Sequence, residues 1–329
     1  METAMPLLRI ENLAVCFTHG AMKAHALRGI DLTFQKEEIH GLVGESGSGK
    51  TVSSMCIMGL LPSPPGEVVS GRILYGGKDL LQLSEAEKRA FRGRKIAMVF
   101  QEPGKYLNPA FKIGEQITEM LILHLDFDKK RARERARELL DLVGMGKDGR
   151  VLGSYPHELS GGMKQRAMIA IAISCDPDFL IADEPTTALD VTLQLQILAL
   201  IKKLKDLLGM GVLFISHDLG VVNEVADRVS VIYAGRIVES TVKSALFARP
   251  LHPYTRLLIM SIPDARKRGT RLAAIPGRVP DADDTPRGCA FHPRCPLAEE
   301  RCSRELPVLA EYEPGHAVAC HFVGKPWII

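Results

Sequence analysis

Gly44–Thr51 reads GESGSGKT, a complete G-x-x-x-x-G-K-S/T pattern, and the fold is read outward from it. Glycines in such a loop let successive backbone N–H groups turn towards a phosphate, and the N-terminus of a following helix adds its dipole. Lys50 brings a positive charge to the β- and γ-phosphates, and the Thr51 hydroxyl suits Mg²⁺. Residues 7–44 alternate apolar and polar positions, with a break near Gly20–His25, and read as strands closing on the loop. Lys50 to about Leu60 reads as a helix stopped by Pro62, Pro64 and Pro65. A strand before and a helix after argue against a merely flexible turn. Alone, the loop implies only a nucleoside triphosphate.

Further along, Phe179–Glu184 reads FLIADE, an apolar run ending in two acids. Behind a phosphate loop, that strand end puts Asp183 where it can hold Mg²⁺ and Glu184 where it can deprotonate an attacking water. Ile96–Phe100 and Val212–Ser216 are similar short apolar runs. Ser84–Arg92, about 113–144, Gly162–Ser174 and Thr192–Leu208 read as helices, with the charges of Asp128–Leu142 on a solvated face. Helices alternating with buried strands predict an α/β fold with a mostly parallel sheet covered on both faces. After about Ser244, proline, histidine and cysteine become frequent and periodicity fades, which predicts a small appended domain.

Lys plus Arg total 42 and Asp plus Glu total 39, a net +3, so the balance does not point to nucleic acid as a main partner. The longest apolar stretches, such as Met168–Cys175, fall far short of the roughly 20 residues a bilayer helix needs. The first residues, METAMPLLRIENLAV, lack the plan of a signal peptide, so a cytosolic protein is expected. Cys16, Cys56 and Cys175 sit in or beside apolar runs and read as core. Cys289, Cys295, Cys302 and Cys320 crowd the tail and, in a reducing compartment, point to metal rather than disulfides. Their spacing lacks the tight C-x₂-C pairs of zinc ribbons, yet on spacing alone both zinc and iron–sulfur stay open.

Leu159–Gly162 (LSGG) alone could be a helix start with Ser160 as its cap. About twenty residues before the acidic strand, and running into MKQRAMIAIA, it resembles the signature motif of the ABC ATPase family. Other family motifs match in order: Gln101 the glutamine loop, Ala188–Asp190 the D-loop, His217 the switch histidine, and Phe17 the aromatic under adenine. Met163 departs from the usual glutamine.

The resemblance implies a RecA-like P-loop NTPase core with an antiparallel β subdomain and an α-helical signature subdomain at about 103–165. Together these make a nucleotide-binding domain over 1–245, followed by a Cys-rich extension over 246–329. It also implies head-to-tail pairing, with each ATP clamped between one subunit's loop and the other's LSGG. The implied nucleotide contacts are Phe17, Gly44, Glu45, Ser46, Gly47, Ser48, Gly49, Lys50, Thr51, Val52 and Asp190, with Ser160, Gly161 and Gly162 reaching the partner's ATP. Lys50 and His217 attend the γ-phosphate, Thr51, Gln101 and Asp183 hold Mg²⁺, and Glu184 activates water.

EQITEM, YPHELSGGMKQR, IADEPTTALDVT and the late RPLHPYT look like the dipeptide/oligopeptide/nickel importer ATPases, most closely the dipeptide-importer subunits. That likeness implies a 4Fe-4S cluster on Cys289, Cys295, Cys302 and Cys320. It implies a second ATPase subunit, two membrane permeases, an external solute-binding protein, and a peripheral location on the cytoplasmic face of the inner membrane. Gly104-Lys105-Tyr106 stands where the family has small polar residues, beside the region that docks the permease. Two other readings are nickel or another small solute as cargo, and a soluble ABC ATPase acting on nucleic acid or ribosomes. The latter usually carries coiled-coil insertions or two cassettes, and this sequence has neither.

Overall fold

The computed structural model describes residues 5–146, 149–262 and 275–323. It begins with β1 (Leu8–His19), β2 (Met22–Phe34), β3 (Ile39–Val43), α1 (Lys50–Met58), β4 (Gly66–Tyr75) and β5 (Lys78–Asp79). There follow α2 (Glu85–Phe91), β6 (Ile96–Val99), α3 (Pro103–Tyr106), α4 (Ile113–Leu125), α5 (Lys129–Leu142) and α6 (Gly161–Ala172). Then come β7 (Phe179–Asp183), α7 (Val191–Leu208), β8 (Gly211–Ser216), α8 (Leu219–Val225), β9 (Arg228–Tyr233) and β10 (Arg236–Val242). The chain closes with α9 (Lys243–Ala248), α10 (Pro253–Met260), α11 (Glu300–Arg304), β11 (Ala310–Glu313) and β12 (His316–Val318). The described residues form two units, those within 1–33, 39–81 and 216–329 the first and those within 34–38 and 82–215 the second.

The first unit holds an antiparallel sheet in the order β2-β1-β4-β5 and a second run of strands, β11-β12-β10-β9-β3. The break expected near Gly20–His25 is a tight turn, with Gly20 at φ +62° and β2 resuming at Met22. β3 and β9 pair in parallel, and every residue of β3 is buried. α8 lies on β3 so closely that a Cβ at Gly41 would stand 2.5 Å from Val222 Cγ1. α1 stops before the prolines: Gly59, at φ +61°, adopts the left-handed turn that ends a helix without a Cβ penalty.

The tail departs from the expected loss of regular structure. β12 pairs antiparallel with β10 through Glu239–Val318 and Ser240–Ala317, and β11 pairs with β12. These strands are only three and four residues long, too short for alternation to show in sequence.

In the second unit β8, β7 and β6 lie side by side and parallel. Every residue of β6 and β7 is buried, and Phe179 meets Phe34 with ring centroids 5.3 Å apart. The helical stretch expected over 113–144 is two helices. Asp126 at φ +54° ends α4, and Asp128 starts α5 by accepting the Arg131 N–H at 2.9 Å. α5 buries only Ala132, Ala136, Leu139 and Leu140, so its charges do form a solvated face. Cys16, Cys56 and Cys175 are buried, as expected.

Candidate functional site

The expected site residues fall into two groups, one in each unit. In the first, β3 delivers the chain into the phosphate loop and α1 starts at Lys50. The first glycine is needed for space: a Cβ at Gly44 would stand 2.2 Å from the Ile232 carbonyl oxygen. Gly49 is at φ +104°, a conformation side chains disfavour. Ser46, Gly47 and Thr51 are exposed, Val52 is half-buried, and Lys50 is 5% exposed. Lys50 Nζ donates to the carbonyls of Gly44 at 2.7 Å and Glu45 at 3.0 Å, so the loop's own backbone holds the cation. Ser48 is buried, and its carbonyl accepts the Gly235 N–H at 3.0 Å. Phe17 is half-buried on β1, opposite Gly66 of β4. His217 is exposed just past β8; its neighbour Asp218 caps α8 through the Gly220 N–H at 2.8 Å.

In the second unit β7 ends on Asp183, 4% exposed, followed by the half-buried Glu184. Glu184 is left-handed at φ +46°, and its N–H donates to the Ile215 carbonyl at 3.0 Å. Its Oε2 accepts from Gln101 Nε2 and from Thr187 Oγ1, both at 3.0 Å. Thr187 had no role in the sequence reading; the motif does not signal which neighbour orients the carboxylate. Two donors on one oxygen fix the orientation of the carboxylate, as a general base requires. Gln101, expected on Mg²⁺, spends its amide N–H on Glu184 here and keeps its carbonyl oxygen as a candidate ligand.

LSGG forms the helix start that its residues allow on their own. Ser160 Oγ accepts the Met163 N–H at 3.3 Å, Ser160 and Gly161 are exposed, and α6 runs twelve residues behind them. Gly162 is buried against Leu193, which a Cβ would meet at 3.2 Å. Asp190 caps α7 through the Leu193 N–H at 3.0 Å. The unusual Gly104-Lys105-Tyr106 completes α3, and Tyr106 stacks on Phe100 at 3.9 Å while staying 54% exposed.

The C-terminal residues of the first unit reach the phosphate loop, which local spacing could not reveal. Glu45, expected among the phosphate contacts, donates its N–H to Tyr254 Oη at 3.0 Å. Its carboxylate accepts from Arg294 Nη1 at 2.9 Å and Nη2 at 3.1 Å. The HPYT phrase is a helix start: His252 Nδ1 accepts the Tyr254 N–H at 3.0 Å and Pro253 opens α10. Burial drives the His252 pKa down to about 4, leaving the ring neutral and its Nδ1 able to accept.

Cys289, Cys295, Cys302 and Cys320 line one small cavity together with His292, His321 and apolar side chains such as Phe291 and Leu297. All four are free thiols. Burial pushes Cys289 and Cys295 up to about 11, and the neighbouring cysteines add to it. Four soft donors in an apolar enclosure fit a thiolate-bound group, whose positive charge would reverse that shift. Among the described residues, however, no three His, Cys, Asp or Glu side chains are drawn close enough to chelate an ion.

Comparison with known proteins gives two family matches, "ABC transporter" over residues 27–187 and "Oligopeptide/dipeptide transporter, C-terminal region" over 238–302. The oligopeptide transport ATP-binding protein AppD of Bacillus subtilis is 48% identical, over 95% of this chain and 96% of its own. The dipeptide transport ATP-binding protein DppD of Escherichia coli is 44% identical, over 98% and 99%. Among solved structures, the dimeric ATP-binding cassette MJ0796, in a post-hydrolysis state bound to ADP and Pi, aligns with TM-score 0.65 at 27% identity. That alignment covers 72% of this chain and 98% of the cassette. Among the described residues no helix is long and apolar enough to cross a membrane.

Proposed function

We infer the working of this protein from one premise: the chain belongs to the ABC transporter family, in its oligopeptide/dipeptide branch. It is an ATPase, the subunit that hydrolyses ATP to drive peptide import. The cargo path lies in two separate permease subunits, fed by an external solute-binding protein, with the ATPase on the cytoplasmic face of the inner membrane. Residues 1–245 act as the nucleotide-binding cassette, with the signature subdomain near 103–165, and 246–329 as the extension.

With one phosphate loop and one LSGG per chain, the working unit is a pair of cassettes, either two copies or two paralogues. The backbone of Gly44–Thr51 with Val52 receives the phosphates, and Phe17 supports the adenine. Lys50 and His217 offset charge on the γ-phosphate. Thr51, Gln101 and Asp183 would hold Mg²⁺, which would offset charge on the phosphate oxygens. Ser160, Gly161 and Gly162 present the start of α6 to the partner's ATP, and Asp190 of the D-loop contributes to nucleotide binding. Glu184 takes the proton of the attacking water. Closing on ATP and opening after hydrolysis supply the stroke.

The observation that carries this reading is the Glu184 carboxylate, fixed by Gln101 and Thr187 directly after the buried Asp183. Glu184→Gln in the membrane complex should cut hydrolysis by about 100-fold or more while ATP still binds. Unchanged hydrolysis would remove Glu184 from the mechanism. Two polytopic chains should co-purify from detergent-solubilised membranes, and labelled dipeptide uptake by vesicles should need Lys50. Uptake of nickel but not dipeptide, or co-purification with ribosomes or DNA, would favour the other readings.

Cys289, Cys295, Cys302 and Cys320 would hold a 4Fe-4S cluster, which would tie together the segments around the cavity. Support comes from the four thiols lining one cavity and from the family likeness. An anaerobic preparation should be brown and absorb near 400 nm; a colourless protein with stoichiometric zinc would replace iron–sulfur by zinc.

A further inference from the structure

Glu45 is the second residue of the phosphate loop, yet its N–H and its carboxylate both go to the C-terminal extension. Tyr254 Oη takes the N–H at 3.0 Å, and Arg294 grips the carboxylate with two hydrogen bonds at 2.9 and 3.1 Å. The Arg294 side chain is 5% exposed. Its Nε donates to the Pro276 carbonyl at 2.8 Å and its Nη1 to Tyr233 Oη at 3.3 Å. The guanidinium carbon lies 5.8 Å from the Tyr233 ring centre and 6.0 Å from that of Phe291. Tyr254 is fully buried, and its ring lies 4.7 Å from that of Tyr233 and 5.3 Å from that of Phe291.

A paired, shielded guanidinium–carboxylate contact fixes orientation as well as position. Lys50 Nζ is itself held by the carbonyls of Gly44 and Glu45. The residue that the extension clamps thus helps to seat the phosphate-binding lysine.

We propose that Arg294 and Tyr254 are positioning residues for nucleotide binding, holding the phosphate loop through Glu45 so that the C-terminal extension sets the affinity for ATP. This rests on the reading that the loop binds ATP. The alternative is a staple that merely anchors the tail. A staple would lower the melting temperature without a selective loss of nucleotide affinity. A positioning role raises Kd and KM while leaving kcat at saturating ATP nearly unchanged.

The test uses the purified full chain, a non-hydrolysable ATP analogue with Mg²⁺, and calorimetric titration, alongside circular dichroism. Arg294→Ala should raise Kd by on the order of tenfold, and Tyr254→Phe by about threefold, with native secondary structure. Arg294→Lys should recover part of the loss, since it keeps the charge but not the fork. Glu45→Gln should weaken binding, and adding Arg294→Ala should then cost little more, because both act through one contact. Unchanged Kd in folded Arg294→Ala, or fully additive losses in the double variant, would overturn the proposal. Should Arg294→Ala not fold, unchanged Kd in both Arg294→Lys and Tyr254→Phe would overturn it. Failure of the unaltered chain to bind the analogue would instead overturn the ATP reading, with Lys50→Ala as the control for site-specific binding.

Discussion

Glu239 and His316 meet at 2.8 Å between His316 Nε2 and Glu239 Oε1, with the two side chains 0% and 4% exposed. The same carboxylate accepts the N–H groups of Leu251 at 2.7 Å and His252 at 2.9 Å. One buried acid on β10 therefore anchors both the start of HPYT and the strand β12.

Glu239→Ala leaves those three donors facing a cavity. Removing one partner of a buried charged network costs about 3–5 kcal/mol. We expect a cooperative transition at clearly lower temperature by calorimetry, with Glu239→Gln between the two. An unshifted midpoint would mean that the tail is held by other contacts.

An added methyl group should act differently at Gly44 and at Gly161. Gly44→Ala would drive a Cβ to 2.2 Å from the backbone oxygen of Ile232, which cannot rotate away. The loop must shift, and ATP affinity should fall more than about tenfold with a stability loss of about 1–3 kcal/mol. At Gly161 a Cβ would meet nothing within 4 Å. Gly161→Ala should leave the stability within about 0.5 kcal/mol of the parent. Its effect should appear only as reduced hydrolysis in the paired assembly. Thermal melts beside nucleotide titrations separate the two effects.

Thr187 orients Glu184 from its own turn of chain at 3.0 Å. Thr187→Val keeps the shape and removes the donor. We expect kcat to fall about three- to tenfold with KM for ATP unchanged, the mark of a contact that steers a catalytic group. Steady-state kinetics of the transport complex read this directly; a rise in KM alone would contradict it.

His40 on β3 is buried, and its Nε2 lies 2.8 Å from Ser230 Oγ, which in turn lies 2.8 Å from Ser240 Oγ. Burial, helped by the charge of Arg228, lowers its pKa from 6.5 to about 3. The unfolded chain therefore takes up a proton below about 6.5 that the folded chain refuses. Stability is full above that pH and is lost as pH falls towards 3. At pH 5.5 this one ring costs about 1.4 kcal/mol. Denaturant titrations of the parent and His40→Gln at pH 7.5 and 5.5 should show a smaller pH effect in the variant by that amount.

The strand, loop and helix around GESGSGKT, the acidic end of FLIADE and the Ser160 cap were all legible in the chain. Each depends on residues within a few positions of one another: a glycine that can turn, a hydroxyl that reaches an N–H three residues on, a run of apolar residues that must be buried. The order of motifs was legible for the same reason, and with it the ATPase reading. What the chain could not disclose were partnerships between distant residues. Arg294 lies 249 positions from Glu45, and His316 lies 77 from Glu239. Neither pair has a periodic or local signature, since an arginine in a proline-rich stretch looks the same whether it faces solvent or a carboxylate. Tertiary structure alone decided that the tail adds strands beside β10, gathers four thiols around one cavity and takes hold of the phosphate loop. Burial strengthens those polar contacts, and only the folded chain brings their partners within hydrogen-bonding distance.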